Sequence, residues 1–308
     1  MQQKEIKTKK KIGDIFFENL TLIFAFLIVG LVFFISYEMF VDSAESRHKF
    51  GFDFIFSSNW NPVTEEFGAL PFIYGTIISS ILALLISLPV SIGVAVFLSE
   101  IAPKSVRTPF SFLIEILAAI PSIIYGFWGI FVFAPFMRNT VQPILQSTLG
   151  FLPFFKGVIY GTGLLTASFI LAIMITPIIA AITRDVLKAI PVSQREAAYA
   201  LGATRWEAIK MALLNAKSGI LGGAVLGLGR AIGETMAVTM VIGNKAQIKA
   251  SLFEPAYSMA SVIANEFSEA SGSMHISSLI EVGLILFGVT FVINSLARLL
   301  IYSVTRKA

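Results

Sequence analysis

The sequence predicts an all-α polytopic membrane protein with six transmembrane helices, and three observations predict it. The 308 residues are 56% hydrophobic and 14% charged, where a soluble domain carries roughly a quarter charged residues. Mean hydropathy is +0.82, with long apolar runs alternating with short polar stretches. Lysine and arginine gather in alternate connections, the signature of a chain threaded through a bilayer.

Runs long enough to cross a hydrocarbon core of about 30 Å lie at Leu20–Phe40, Ile73–Leu98, Phe110–Phe136, Val158–Ile182, Ile220–Ile242 and Leu279–Tyr302. Residues 1–19 read as a cytoplasmic tail and 20–40 as a retained anchor, too long and without the small-residue cleavage site of a removed signal peptide. Residues 41–71 read as an extracytoplasmic segment, rich in phenylalanine and carrying Trp60, that lies at the membrane interface or packs on the spans. Residues 72–304 form a core of five spans with a cytoplasmic loop at about 184–217. Orientation follows from the basic residues. Lys4, Lys7, Lys9, Lys10 and Lys11, the pair Lys104 and Arg107, the loop from Arg184 to Lys217, and Arg306 with Lys307 all fall on one side. Both termini are therefore expected in the cytoplasm.

Composition excludes several functions. The chain has no cysteine, so disulfides and thiolate chemistry are absent. His48 and His275 are its only histidines and are expected in separate, solvated loops, so no metal site or cofactor is expected. The basic residues sit in loops rather than on one soluble face, which argues against a nucleic-acid partner. No GxxxxGK[ST] loop is present, so this chain cannot hydrolyse ATP by that route. Gly227–Gly233 lies within a span and no strand precedes it, which separates it from a dinucleotide fingerprint.

Two stretches carry chemistry. In the loop, Pro191 stops the preceding helix and Ser193-Gln194-Arg195-Glu196 reads as a capping box. Gly202 then ends a short helix, and Thr204-Arg205-Trp206-Glu207 reads as a second box. The result is a helical hairpin with a glycine elbow, either a capped linker or a docking knob for a cytoplasmic partner. In the fifth span, Arg230 lies eleven residues beyond Gly219, about 16 Å at 1.5 Å per residue, near the bilayer midplane. A charge there costs roughly 2.5–3.5 kcal/mol and needs water, protein or a partner. Glu234, at i+4, is expected to share its face and pair with it. Gly219, Gly223 and Gly227 precede the pair at every fourth position, a small-residue stripe that admits close approach of a helix or a ligand. A guanidinium on such a stripe suits an oxyanion path. Glu115, Glu281 and Arg298 lie near span ends and are expected to snorkel.

The segment EAAYALG at Glu196–Gly202 resembles the EAA loop of ABC importer permeases, keeping Glu196, Ala197, Ala198, Gly202 and Leu214. It departs at Ala212 and Asn215, where that pattern has isoleucine and proline, so the second hairpin helix is expected to join the fifth span with less of a break. Phe67–Thr76, Ala118–Gly129, Gly229–Asn244 and Met259–Phe267 resemble the phosphate-specific PstC-type permeases of that superfamily. The resemblance implies a type I ABC importer permease architecture in a bacterial or archaeal-type inner membrane. It implies a pore for inorganic phosphate built with a sister permease and surrounded by membrane lipid, served by two copies of an ABC ATPase and an extracytoplasmic phosphate-binding protein. It further implies that Glu196, Ala197, Ala198 and Gly202 couple to the ATPase and that Arg230 and Glu234 line the substrate path. A related importer of molybdate, sulfate or phosphonate is the neighbouring alternative. An intramembrane phosphate-processing enzyme is a more distant one, because it needs histidines, paired carboxylates or an activated nucleophile near one membrane face.

Overall fold

A computed structural model describes residues 12–306, so the lysine-rich start of the N-terminal tail lies outside the described residues. Twelve α-helices, taking Leu70–Ile101 and Ser122–Leu149 as one each, organise the described residues. Helix α1 covers Ile12–Asp42, followed by the short α2 (Ala44–Phe50) and α3 (Asp53–Phe56). Helix α4 (Leu70–Ile101) ends in a wide π-type turn, and α5 (Lys104–Ala119) meets α6 (Ser122–Leu149) at a bend of 91°. Helix α7 (Leu164–Ala189) leads to the hairpin helix α8 (Val192–Ala200). Then come α9 (Arg205–Ile232), α10 (Met236–Val241), α11 (Met259–Glu266) and α12 (Ser273–Arg306). Five of these are long and apolar enough to cross a bilayer, and the bent pair α5–α6 makes a sixth if counted as one span.

The expected third span is therefore a broken one. Pro121 disfavours α geometry at Ile120, which adopts an extended backbone (φ −63°, ψ 129°). Beyond the bend, Pro135 sits between two π-type turns, Gly129–Phe133 and Met137–Val141. A widened turn relieves the clash of a proline ring with the carbonyl four residues back. The fourth helix also begins later than its apolar run. Gly157, Gly161 and Gly163 have φ of +117°, +86° and +148°, which hold that stretch irregular, and a Cβ at Gly163 would lie 2.6 Å from the Phe253 carbonyl oxygen.

Helix α7 is the axis of the bundle. Leu165, Ile170, Leu171 and Ile175 are buried in one core with Ala83 of α4 and Ala237 and Val241 of α10. With lipid outside, tight packing and interhelical hydrogen bonds replace the hydrophobic effect as the force between helices. Helix α4 accordingly buries Ser79, Ser80, Ala83, Ser87 and Ser91. The Thr176 hydroxyl donates to Ser87 Oγ at 3.0 Å, and Ser91 Oγ donates to the Thr176 carbonyl at 3.1 Å. At the start of α4, Gly75 lies so close to the 257 peptide that a Cβ would come within 2.2 Å of the Tyr257 carbonyl oxygen.

An aromatic cluster caps that end. Phe54, Phe67, Phe72 and Tyr257 are buried there, and Trp60 packs edge-on to Phe67 and Phe72 at 4.8 and 4.7 Å between centroids. His275 is not in a solvated loop. It occupies the first turn of α12, stacks on Phe67 at 5.4 Å and lies 3.2 Å from the Glu266 carboxylate, which also accepts from Trp60 Nε1 at 2.8 Å. Glu281 does not snorkel either. Only 5% exposed, it lies among Ser46, Ser277 and Ser278, which link α2 to α12 by hydrogen bonds. The sequence places both residues near an element's end, but their surroundings are fixed by the docking of residues 43–67, which no local pattern encodes.

Candidate functional site

The hairpin forms at the opposite end of α4 from the aromatic cluster. Pro191 is the N-terminal cap of α8, so the helix starts at Val192 and Ser193 already lies within its first turn. The Ser193–Glu196 capping box is therefore absent. At the other end, Gly202 (φ +82°) donates to the Tyr199 carbonyl and Ala203 to the Ala198 carbonyl, at 2.9 and 3.1 Å. These two bonds close a Schellman motif, which satisfies helix-terminal carbonyls and requires a left-handed residue. The second box forms as expected: the Glu207 amide donates to Thr204 Oγ1, and Glu207 Oε2 accepts from the Thr204 amide at 2.7 Å.

From Thr204 the helix runs without interruption to Ile232. Ala212 is buried against Ala95, Val96 and Leu187, where a larger side chain would part the helices. Asn215 Nδ2 donates to Gln194 Oε1 at 2.7 Å, tying α9 back to α8. The two positions that depart from the EAA pattern are thus the ones that keep this helix continuous and clasp the hairpin.

Glu196 and Ala197 are exposed, while Ala198 turns inward and is buried. Residues that pattern reading passed over complete the surface. Leu201 is 90% exposed, and Tyr199, Trp206 and Val192 are also exposed. Their signal was present in the sequence as large apolar residues flanking a capped, charged turn, a combination that costs solubility unless a partner covers it.

At the far end of α9, the structure separates the residues that the spacing brings together. The helix ends at Ile232 and Gly233 (φ −89°, ψ 4°) turns the chain. Arg230, in the last helical turn, is exposed and lies within electrostatic range of the Tyr125 hydroxyl. Glu234 is 8% exposed, and its Oε1 accepts from the Ala237 amide at 3.3 Å. No ion pair within 4 Å joins the two among the described residues. The i, i+4 pairing fails because the helix they would share stops between them.

The glycine stripe has an occupant. A Cβ at Gly219 would meet Val186 at 2.6 Å, one at Gly223 would meet Ile182 at 3.1 Å, and one at Gly227 would meet Ile179 at 2.7 Å. These glycines seat α9 against α7, the helix-packing use of small residues. Arg230 lies three residues past Gly227, turned off that seam onto the open surface. Asn294 of α12 lies beside the neighbouring Gly229, 3.7 Å from the position of a Cβ there.

A bundle of five or six apolar helices, with a capped apolar hairpin at one end and a lone guanidinium at a break in one span, defines a multi-pass α-helical membrane protein built to work with partners. The family described as "Binding-protein-dependent transport system inner membrane component" matches residues 87–306, and this chain belongs to it. Similar proteins include the phosphate transport system permease protein PstC of Mesorhizobium japonicum, 47% identical over 96% of this chain and 91% of that one. The PstC of Pasteurella multocida is 48% identical over 96% and 93%, and the probable PstC of Methanocaldococcus jannaschii 35% over 96% and 95%. Among solved structures, an inward-facing MetNI methionine ABC transporter shares the fold, with a TM-score of 0.54 and 18% identity over 76% of this chain and 94% of that one. The chain is a permease subunit, the term its relatives' names carry.

Proposed function

We propose that this chain is a pore subunit of an ATP-driven importer of inorganic phosphate. The observation that carries the reading is similarity to phosphate permeases at 47–48% identity along nearly the whole chain, including the stretch from Gly229 to Asn244 that holds Arg230 and the break after it. An exposed arginine on an apolar span is costly in lipid. It is supportable where the surface faces water or a second permease, so the pore lies between this chain and a sister subunit, with Arg230 on its wall. A guanidinium there offers a fixed fork of donors matched to phosphate oxygens. Glu234, held behind the break, keeps net positive charge at the wall low, so the anion passes rather than stays. Both termini and the hairpin face the cytoplasm, in keeping with the lysine and arginine bias.

The hairpin is the ATPase-docking element. Glu196 and Ala197 with Tyr199, Leu201 and Trp206 form the contact, Ala198 anchors α8 to the bundle, and Gly202 sets the elbow. Two ATPase copies, the sister permease and an extracytoplasmic phosphate-binding protein complete the machine. The test is ATP-dependent uptake of labelled phosphate into vesicles carrying the full complex, with sulfate and molybdate as competitors. Uptake resistant to equimolar sulfate is expected. Competition by sulfate or molybdate at equal concentration would transfer the assignment to another oxyanion.

A further inference from the structure

The hairpin is tied to the spans by one side chain that the EAA pattern does not include. Arg195, immediately before Glu196, donates from Nε and Nη2 to the two carboxylate oxygens of Glu100, at 3.1 and 2.7 Å. Its Nη1 donates to the Ile190 carbonyl at 3.0 Å and Nη2 also to the Leu187 carbonyl at 2.9 Å. Leu187 lies in the last turn of α7 and Ile190 caps it, where a cation is favoured by the helix dipole and adds to the single long bond that the Leu187 carbonyl accepts from the Ile190 amide. Glu100 closes the π-type turn of α4, and its own carbonyl accepts from Arg205 Nη2, at the start of α9, at 2.7 Å. That turn is braced in addition by Arg107 Nη2, which donates to the Ser99 and Ala102 carbonyls. Both members of the pair are largely shielded, with side-chain exposures of 18% and 11%. Four segments, the ends of α4 and α7 and the starts of α8 and α9, thus meet at one ion pair.

From this geometry we infer that Arg195 and Glu100 are positioning residues for transport: they pass the position of the docking helix to α4 and α7. A planar fork bound on both edges transmits rotation as well as displacement, because a rotated guanidinium loses its bidentate partner and its carbonyls together. The inference rests on the docking role proposed above for the hairpin. It adds a specific joint for α8, since the bond from Asn215 to Gln194 is a single exposed hydrogen bond between the hairpin's two helices and the bond from Arg205 to the Glu100 carbonyl starts on the far side of the elbow. Lysine at 195 retains the charge but cannot hold the carboxylate on two atoms and cap both carbonyls, so it separates the joint from simple charge balance.

The complete transporter, reconstituted in vesicles, is compared as wild type, Arg195→Lys and Glu100→Gln. ATP hydrolysed and phosphate taken up are measured together, and complex assembly is checked by size-exclusion chromatography. Phosphate delivered per ATP should fall at least tenfold in both variants, the scale expected for lost charged hydrogen bonds, while both complexes assemble. An unchanged ratio in either assembled variant would overturn the inference, and failure of both to assemble would make the pair a folding element instead. Wild-type vesicles that take up no phosphate would count against the transport reading, a separate failure from either of these.

Discussion

Arg230 and Glu234 are four residues apart and do not touch: Gly233 ends the helix between them, leaving the guanidinium exposed and the carboxylate buried against the Ala237 amide. The two charges therefore do different work. The exposed guanidinium is the one that the proposed function offers to a passing anion, and the carboxylate caps the start of the next helix. Substitutions at the two positions should fail in different ways.

For Arg230, the informative change is to glutamine, which keeps length and polarity and removes the charge. Uptake should drop at least tenfold, since a hydrogen bond to a charged group contributes about 1.5–3 kcal/mol. Arg230→Lys should fall in between, because a single ammonium cannot engage phosphate on two edges. Stability should stay near wild type, because the guanidinium makes no hydrogen bond within the described residues. Unchanged uptake by Arg230→Gln in an assembled complex would remove Arg230 from the path.

Glu234 separates charge from capping. Glutamine retains an acceptor for the Ala237 amide, so Glu234→Gln should keep the thermal midpoint and alter only transport. Glu234→Ala leaves that amide unsatisfied, a loss of about 1–3 kcal/mol, and should lower the midpoint as well. Equal midpoints for the two variants would show that the amide bond contributes nothing.

At the elbow, Gly202→Ala meets no steric obstacle, with nothing within 4 Å of its Cβ, but its φ of +82° disfavours any side chain. The cost is about 1–2 kcal/mol. Asparagine should be tolerated better, being a frequent left-handed residue. Hydrogen exchange at the Gly202 and Ala203 amides, which close the Schellman motif, should accelerate in the alanine variant and much less in the asparagine variant.

Gly75→Ala tests close packing at the other end. Its Cβ would sit 2.2 Å from a backbone oxygen of Tyr257, and neither backbone can yield as a side chain would. Overpacking of this kind costs about 1–3 kcal/mol or more, so a clear fall in the detergent-solubilised melting temperature is expected. Alanine at Gly93, which has open space around it, is the control.

Alkaline pH probes the same region. Burial pushes the Tyr257 phenol up to about 12 from an ordinary value of 10.0, with the neighbouring Glu266 charge acting in the same direction. A raised acid loses protons more readily when unfolded, so its contribution to stability is complete below pH 10 and is lost as pH rises towards 12. Tyr257→Phe should flatten the decline in melting temperature over that window. An identical decline in both proteins would exclude Tyr257 as its source.

Much of this molecule was legible because a bilayer writes long signals into a sequence. The apolar runs located α1, α4, α7 and α12, and Thr204 with Glu207 announced a helix start that forms as read. Gly202 was legible because few residues can occupy its backbone conformation. The failures share a physical cause. Glu234 was placed on a helix that Gly233 ends, and a lone glycine in an apolar run does not declare whether it breaks a helix or packs one. The same ambiguity left Gly219, Gly223 and Gly227 open to a helix or a ligand, and they seat α9 on α7. His275 and Glu281 were misplaced because their partners, Phe67 and Ser46, come from more than 200 residues away. The bond from Arg195 to Glu100 joins residues 95 apart and has no local signature at all.

Helix α9 has 28 residues, about 42 Å at 1.5 Å per residue, and so exceeds the hydrocarbon thickness of about 30 Å. Its first turn is the capped root of the hairpin and its last turn holds Arg230. It runs as one unbroken helix, with Gly219, Gly223 and Gly227 seated on α7 and asparagine at 215 where the EAA pattern has proline. Tilting such a rod about its glycine seam would swing its two tips in opposite directions. A push of an ångström or two at Thr204 would then be felt at Arg230 without any relay of side chains, as at the far end of a see-saw.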